Sequence, residues 1–231
     1  MTEPGGDLEA WITGATGLVG RALVAELCRR STSGNVTALV RRIEGRKEPR
    51  LEERVVAFER LELELLGRSA THAFCCLGTT MARAGSEAAF RRVDYDYPLA
   101  FGRAARTAGV RKFLVVTAIG ADPKSNIFYN RVKGELEEAV RALGFGATHI
   151  FRPSFLAGDR GESRMGEKAG IFAARVLATV LPIGPVRRAR PIEASDVAGA
   201  MVSIAKRGER GFFVHESDRI QALADSSKES D

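Results

Sequence analysis

Residues 13–20 read Thr-Gly-Ala-Thr-Gly-Leu-Val-Gly. They follow a short apolar run at 10–13 and open onto a stretch, 18–30, with helical periodicity. A strand turning through glycines straight into a helix is what a dinucleotide loop requires: a tight turn, a backbone bare enough for pyrophosphate to approach, and the positive end of a helix dipole. Gly14 is expected to permit the turn, Gly17 the approach, and Gly20 close helix–strand packing. The spacing G-x-x-G-x-x-G is one residue longer than the G-x-G-x-x-G fingerprint, and glycines also mark purely structural turns. Context has to decide.

The rest of the chain supplies it. Short β-branched runs alternate with longer periodic stretches, the pattern of a parallel α/β sheet. Strands are predicted at 36–40, 54–58, 71–77, 112–117 and 148–151, and helices at about 86–108 and 125–143. Gly34, Gly109 and Gly144 fall where helices give way to strands. After Arg152-Pro153 the pattern loosens. A polar, Gly-rich loop is predicted at 157–168 and a helix at 168–181. Pro182, Pro185 and Pro191 then break the chain, and Ser195 reads as the N-cap of a helix running to Lys206, with Asp196 in its first turn. His215 is placed in a C-terminal strand, and the last six residues read as frayed. The expectation is one α/β domain over 1–231 built on a parallel sheet.

Composition fits one large globular domain: 231 residues, 45% hydrophobic and 28% charged. The net charge of +6 is scattered in pairs such as Arg29-Arg30, Arg41-Arg42, Arg91-Arg92 and Arg187-Arg188. A nucleic-acid surface gathers such charge into one stripe interleaved with aromatics, so no nucleic-acid partner is expected. The N-terminus has no charged region followed by an apolar one, and the apolar stretch at 171–181 is too short to span a bilayer and is interrupted by Arg175. Three cysteines, Cys28, Cys75 and Cys76, lack metal-ligand spacing. No metal, no membrane and a reducing cytoplasm are expected, with a small-molecule substrate and a monomer or homodimer.

The second strand bears on the choice of cofactor. An NAD site offers an acidic residue about 20 positions past the loop, for the ribose 2′-hydroxyl. Here the strand ends Val40-Arg41-Arg42. Guanidinium groups match a 2′-phosphate, so NADP(H) is expected over NAD(H), with Glu44 on the same loop as the residue that argues otherwise.

Thr13 to Gly20, Phe74-Cys75-Cys76-Leu77-Gly78-Thr79-Thr80, the pair Tyr129 and Lys133, and Phe151-Arg152-Pro153 together resemble the short-chain dehydrogenase/reductase superfamily. More narrowly the chain is similar to its atypical branch, the one containing the Tat-interacting tumour-suppressor oxidoreductase and bacterial NAD(P)-binding relatives. The strings 120–122 and 151–168 carry the same likeness. The resemblance implies a single doubly wound parallel-sheet Rossmann domain over 1–231, with a small substrate-facing lobe mainly at 153–192. In it Thr16, Gly17, Leu18 and Val19 hold pyrophosphate, and Leu77, Gly78, Thr79, Arg152 and Pro153 lie beside the cofactor. It also implies that Tyr129 exchanges the proton while Lys133 holds the nicotinamide ribose.

The chemistry stands beside the resemblance. Hydride transfer to a carbonyl leaves an alkoxide that needs a proton, and a phenol near pKa ~10 is too weak a base for the reverse step at neutral pH. An ammonium one helical turn away favours the phenolate. The expected third member, a serine closing the fifth strand, is absent; Thr117 carries the only hydroxyl there, with Ser125 as fallback. Cys75 and Cys76 read as small apolar strand residues, His72 and His149 as structural, and His215 has no visible partner. Arg160, Glu162 and Arg164 are either a solvated loop or a cover for an acidic substrate. The function expected is an NADP(H)-dependent oxidoreductase acting on a small carbonyl or alcohol. Alternatives are a catalytically silent NADP(H) sensor or scaffold, and a nucleotide-sugar epimerase or dehydratase.

Overall fold

The computed structural model describes residues 8–29, 33–157 and 190–228; most of the lobe expected at 153–192, with Arg160, Glu162, Arg164 and the helix expected at 168–181, lies outside the described residues. Seven strands form one sheet: β1 (Leu8–Thr13), β2 (Ser33–Val40), β3 (Leu51–Val55), β4 (His72–Cys75), β5 (Lys112–Val116), β6 (Ala147–Arg152) and β9 (Gly211–Glu216). Their order is β3-β2-β1-β4-β5-β6-β9 and every neighbouring pair is parallel. Short strands β7 (Leu156–Ala157) and β8 (Ile192–Glu193) pair separately. The chain winds outward in both directions from β1 and β4, so the expected doubly wound Rossmann sheet is what forms. The crevice of such a sheet lies where the order reverses, at the carboxyl ends of β1 and β4.

Strand periodicity sends alternate residues to opposite faces. Ile12, Phe74, Leu114 and Phe151 pack under α1 (Leu18–Arg29), α7 (Ala194–Ala205) and α8 (Ser217–Lys228), meeting Leu23, Leu27, Val197 and Ile220. Trp11, Phe113, Val115 and Ile150 face α5 (Tyr97–Thr107) and α6 (Phe128–Ala142), meeting Phe101, Leu136 and Val140. Between β3 and α5 lie three shorter helices, α2 (Leu61–Glu64), α3 (Met81–Ala84) and α4 (Glu87–Arg91).

Four sequence expectations shift. The third strand runs at Leu51–Val55 instead of 54–58, because Val56 and Phe58 turn into the core after the edge strand ends. The N-cap of α7 is Glu193, not Ser195, and α8 was not foreseen at all. The helix expected at 86–108 is interrupted by a π-helical turn, Arg92–Asp96, in which the Tyr97 amide bonds back to the Arg92 carbonyl. Pro98 explains the turn, since proline has no amide to give the carbonyl four residues back, that of Asp94, and its ring crowds it. His215 does have a partner. Pairing of β6 with β9 brings its Nε2 within 3.1 Å of His149 Nδ1, and the rings stack between Phe213 and Phe151.

His72 and Lys112 are structural in a specific way. Lys112 is buried, and its ammonium donates to the carbonyls of Ile204 (3.0 Å), Ala205 (2.9 Å) and Arg207. His72 Nε2 lies 3.0 Å from the Ala205 carbonyl. Together they satisfy the C-terminal carbonyls of α7, which have no partners within the helix. Cys28, Cys75 and Cys76 are all free thiols, and burial pushes each thiol pKa up, as expected of inert packing residues.

Candidate active site and cofactor cradle

Gly14 turns the chain out of β1 with φ +75°, and a Cβ there would sit 2.3 Å from the Cys76 carbonyl carbon and oxygen. A Cβ on Gly20 would sit 2.1 Å from the Gly14 carbonyl oxygen, so Gly20 packs against the loop itself and not, as the spacing suggested, against a strand. Gly17 differs: its Cβ would meet only the Gly14 oxygen, at 3.4 Å, which leaves open space above it. The Arg21 amide donates to the Gly17 carbonyl at 2.9 Å, so the amides of Leu18, Val19 and Gly20 stand ahead of that helical bond. These are the donors a helix start offers an anion, and with the space over Gly17 they fit a pyrophosphate.

Beyond β2, Arg41 and Arg42 are exposed. Arg46 folds back onto the glycine loop, its Nη1 and Nη2 each 3.4 Å from the carbonyls of Ala15 and Arg21. Glu44 is drawn into an ion pair with Arg21 (3.5 Å) while its amide and that of Gly45 donate to Glu53. Arg21 and Arg46 thus join the basic set that sequence reading limited to Arg41 and Arg42. The signal for Arg21 was present, since it follows Gly20 directly on α1; that for Arg46 was not, because only the folded loop returns it to Ala15.

Tyr129 and Lys133 lie one turn apart on α6, after β5. The Tyr129 ring is half-buried against Phe90, with centroids 5.3 Å apart. Lys133 is only 3% exposed, and its Nζ lies 2.7 Å from Asp94 Oδ1 in the π turn. Asp94 is fully buried, and its other oxygen accepts the Thr79 amide at 2.9 Å. Burial alone lowers a lysine pKa, but the charges of Asp94 and Tyr129 outweigh it and push Lys133 up to about 12. Leu77, Gly78 and Thr79 close β4 beside this pair; a Cβ on Gly78 would lie 3.8 Å from Lys133 Nζ.

One further turn along α6, Glu137 is buried and takes three bonds: from Thr117 Oγ1 (2.7 Å), Arg152 Nε (3.0 Å) and Arg152 Nη2 (2.5 Å). Arg152 Nη1 reaches Glu216 at 3.0 Å. Hydrogen bonds and charge from Glu137 hold Arg152 firmly protonated against its burial. The Thr117 proton is therefore spent on a carboxylate inside the protein, not left for a substrate carbonyl, and Arg152 is a strut between α6, β6 and β9. Ser125 is not the N-cap of α6, which is Ile127; its Oγ accepts the Ile127 amide at 3.1 Å.

Gly134 carries a signal that sequence reading missed. A Cβ there would fall 2.2 Å from Pro123 N and 2.3 Å from the Asp122 carbonyl carbon. The loop after β5 rests directly on α6, one residue past Lys133, and only glycine lets it.

A family model described as NAD(P)H-binding matches residues 14–207. The chain belongs to that NAD(P)H-binding family, within the atypical short-chain dehydrogenase/reductases. Among relatives of this family member, rat "Protein HTATIP2" is 38% identical over 162 residues, covering 68% of this chain and 66% of that protein. Emericella nidulans "Protein fmp52, mitochondrial" is 47% identical over 104 residues, 45% of each chain. Candida albicans "Protein FMP52, mitochondrial" is 30% identical over 210 residues, covering 88% and 90%. The match thus spans less than two thirds of the first two proteins. In fold the chain is similar to "MoeE5 in complex with UDP-glucuronic acid and NAD", at TM-score 0.67 and 21% identity over 91% of this chain and 75% of that one. A UDP-N-acetylglucosamine 4-epimerase from Methanobrevibacter ruminantium M1 gives TM-score 0.66 and 15% identity, covering 91% and 76%. Two relatives carry mitochondrial names, so the cytoplasmic expectation gains no support from them. Among the described residues no helix is long and apolar enough to cross a membrane, and no cluster of His, Cys, Asp and Glu is fit to hold a metal.

Proposed function

We propose that the chain is an NADP(H)-dependent oxidoreductase that moves a hydride to or from a small carbonyl or alcohol compound. One observation carries the reading: Tyr129 and a buried, charged Lys133 share a face of α6 beside the carboxyl end of β4, next to the glycine cradle. The cofactor, when bound, would supply the hydride in reduction and accept it in oxidation. The amides of Leu18, Val19 and Gly20, with Thr16 and the bare backbone of Gly17, would hold its pyrophosphate. Arg41, Arg42 and Arg46 would meet the 2′-phosphate, with Leu77, Gly78, Thr79 and Pro153 flanking it. Tyr129 gives its hydroxyl proton to the alkoxide in reduction and takes one back in oxidation; the Lys133 cation favours the phenolate between the two.

The test has two arms. NADPH titrated into the purified protein should bind at least tenfold more tightly than NADH, and Tyr129→Phe should lose turnover across a panel of aldehydes and ketones while keeping that binding. No binding of either nucleotide below the millimolar range refutes the reading at its first step.

A second reading is favoured by a specific observation. Because Thr117 donates to Glu137, the hydroxyl expected to polarise a carbonyl is committed elsewhere. A cofactor-binding sensor or scaffold needs no such donor. It predicts tight NADPH binding with no Tyr129-dependent turnover on any of the panel.

A further inference from the structure

Strand β3 is an edge of the sheet: among the described residues it pairs with β2 and with no strand on its other side. The Val36 amide donates to the Arg50 carbonyl and the Val56 amide to the Val40 carbonyl, both at 2.9 Å. Even-numbered positions therefore turn their backbone toward β2, and Leu51, Glu53 and Val55 turn theirs outward. The Leu51 amide is satisfied by the Glu48 carbonyl at 3.3 Å. The amides of Glu53 and Val55 and the carbonyls of Leu51 and Glu53 face the open edge.

Edges are normally blunted by charge, bulges or proline so that they do not pair. On β3 the charges are arranged to permit one pairing. The strand reads Leu51-Glu52-Glu53-Arg54-Val55, and laid against its own reverse it is complementary about Glu53. Three antiparallel registers match outward positions across a two-fold axis. Centred on Glu52, they oppose Glu52 to Glu52; centred on Arg54, Arg54 to Arg54. Centred on Glu53, they oppose Glu52 to Arg54 twice and Leu51 to Val55 twice. The one like pair left, Glu53 with itself, is softened because each carboxylate is drawn to the loop behind it. There it accepts the amides of Glu44 (3.1 Å) and Gly45 (2.8 Å).

Apolar exposure gathers at the same edge. Of the five large hydrophobic side chains left exposed among the described residues, four lie between positions 43 and 66: Ile43, Val55, Leu63 and Leu66. Leu61 and Leu65 pack in the core with Leu39, the register partner of Arg54. The α2 segment thus lies on the face of β3 that carries Glu52 and Arg54, with Leu63 and Leu66 on its outer side.

We propose that β3 is a self-association surface, at which two copies of this chain join edge to edge, antiparallel about a two-fold axis at Glu53. Each Glu53 amide donates to the other copy's Glu53 carbonyl, and each Val55 amide to the other's Leu51 carbonyl. Arg54 already pairs with Glu52 of its own strand, at the surface, and exchanging that partner for the second copy's Glu52 costs little. A seam of five residues is short, so the dimer is weak and forms at high concentration.

Sedimentation equilibrium of the full chain between about 1 and about 300 µM should show a reversible monomer–dimer equilibrium. Glu52→Arg and Arg54→Glu each bring like charges together twice and should weaken the dimer about tenfold or more, without lowering Tm. The double variant restores both opposite pairs and should return to within about threefold of the wild type. Hydrogen exchange of the unaltered chain gives a readout that needs no variant. The Glu53 and Val55 amides should slow as concentration rises, while the Arg54 amide, turned toward β2, should not change. A chain that stays monomeric throughout overturns the proposal, as does a dimer indifferent to both single reversals, a double variant no tighter than the singles, or exchange at Glu53 and Val55 that ignores concentration.

Discussion

Gly134→Ala and Gly199→Ala make the same chemical change inside two helices, and the structure assigns them opposite signs. Glycine within a helix costs about 1 kcal/mol relative to alanine, so on propensity alone both substitutions stabilise. At Gly199, in α7, a Cβ meets only Ser227 Oγ at 3.5 Å, an ordinary contact. There the full gain should appear, about 0.5–1 kcal/mol, or a Tm higher by about 1–4 °C in a chain of this size. At Gly134 the Cβ would lie 2.2 Å from Pro123 N, 2.3 Å from the Asp122 carbonyl carbon and 2.6 Å from Pro123 Cδ. Two of these three atoms are backbone, so the loop has to retreat by about 1 Å to reach contact distance. Overpacking of this kind costs about 1–3 kcal/mol and offsets the propensity gain, for a net loss of up to about 2 kcal/mol and a Tm lower by up to about 8 °C. The same retreat strains the bond from the Asp122 amide to the Asn130 carbonyl (3.0 Å), which ties the loop to the residue after Tyr129. Thermal unfolding followed by circular dichroism measures both variants. If Gly134→Ala raises Tm as Gly199→Ala does, the loop does not rest on α6 as described.

Acid should destabilise the fold before its carboxylates titrate. Burial lowers the pKa of His72 to about 4, His149 to about 3 and His215 to about 4, so above about 6.5 each is neutral in both states and contributes nothing. As pH falls below that value the unfolded chain takes up protons that the fold refuses, costing about 1 kcal/mol per histidine per pH unit. The urea midpoint should drop between about pH 7 and 5, and by less in His149→Phe; a flat midpoint refutes it. Glu137→Gln should destabilise by about 1–3 kcal/mol, because it removes the buried counter-charge of Arg152 and leaves Glu216 as that guanidinium's remaining partner. Retention of the wild-type urea midpoint would show that the strut carries no load. Arg46→Gln should weaken NADPH binding about three- to tenfold at low salt and leave NADH binding unchanged; equal losses for both would remove Arg46 from the 2′-phosphate set.

What could be read from the sequence was what local pattern determines. The glycine loop, strand alternation and the Tyr129 to Lys133 spacing are short-range features, and each appears in the fold close to where it was expected. The third strand slipped because its apolar residues, Val56 and Phe58, belong to the turn into the core, while the edge strand itself is largely polar. His215 lacked a visible partner because His149 is 66 residues away and only the β6–β9 register unites them. Glu137 and Asp94 went unnoticed for the same reason: a carboxylate on a helix reads as solvated until its burial is known. Pro98 and Gly134 were legible in principle. A proline inside a helical run and a glycine directly after the candidate lysine both demand a reason, and in each case the reason is the geometry around Lys133.

Successive turns of α6 present Tyr129, Lys133 and Glu137 along one face, and the three meet different surroundings. Tyr129 is half-buried beside Phe90, Lys133 is paired with the carboxylate that the π turn aims at it, and Glu137 is tied to Arg152 and Thr117. Each of the two inner residues is charged, and each has its counter-charge on a different element, α6 being anchored to the π turn through one and to β6 through the other. A buried charge left unpaired costs far more than a misplaced apolar group, so this arrangement admits little drift in the axial position of the helix. The hydroxyl that sequence reasoning assigned to a substrate takes part in this anchoring: Thr117, directly after β5, donates to Glu137, and Ile119 then donates its amide to the Pro153 carbonyl at 3.0 Å. Precision at Tyr129 is thereby obtained from residues deeper in the helix, and the donor lost at Thr117 is what a search for substrates has to account for.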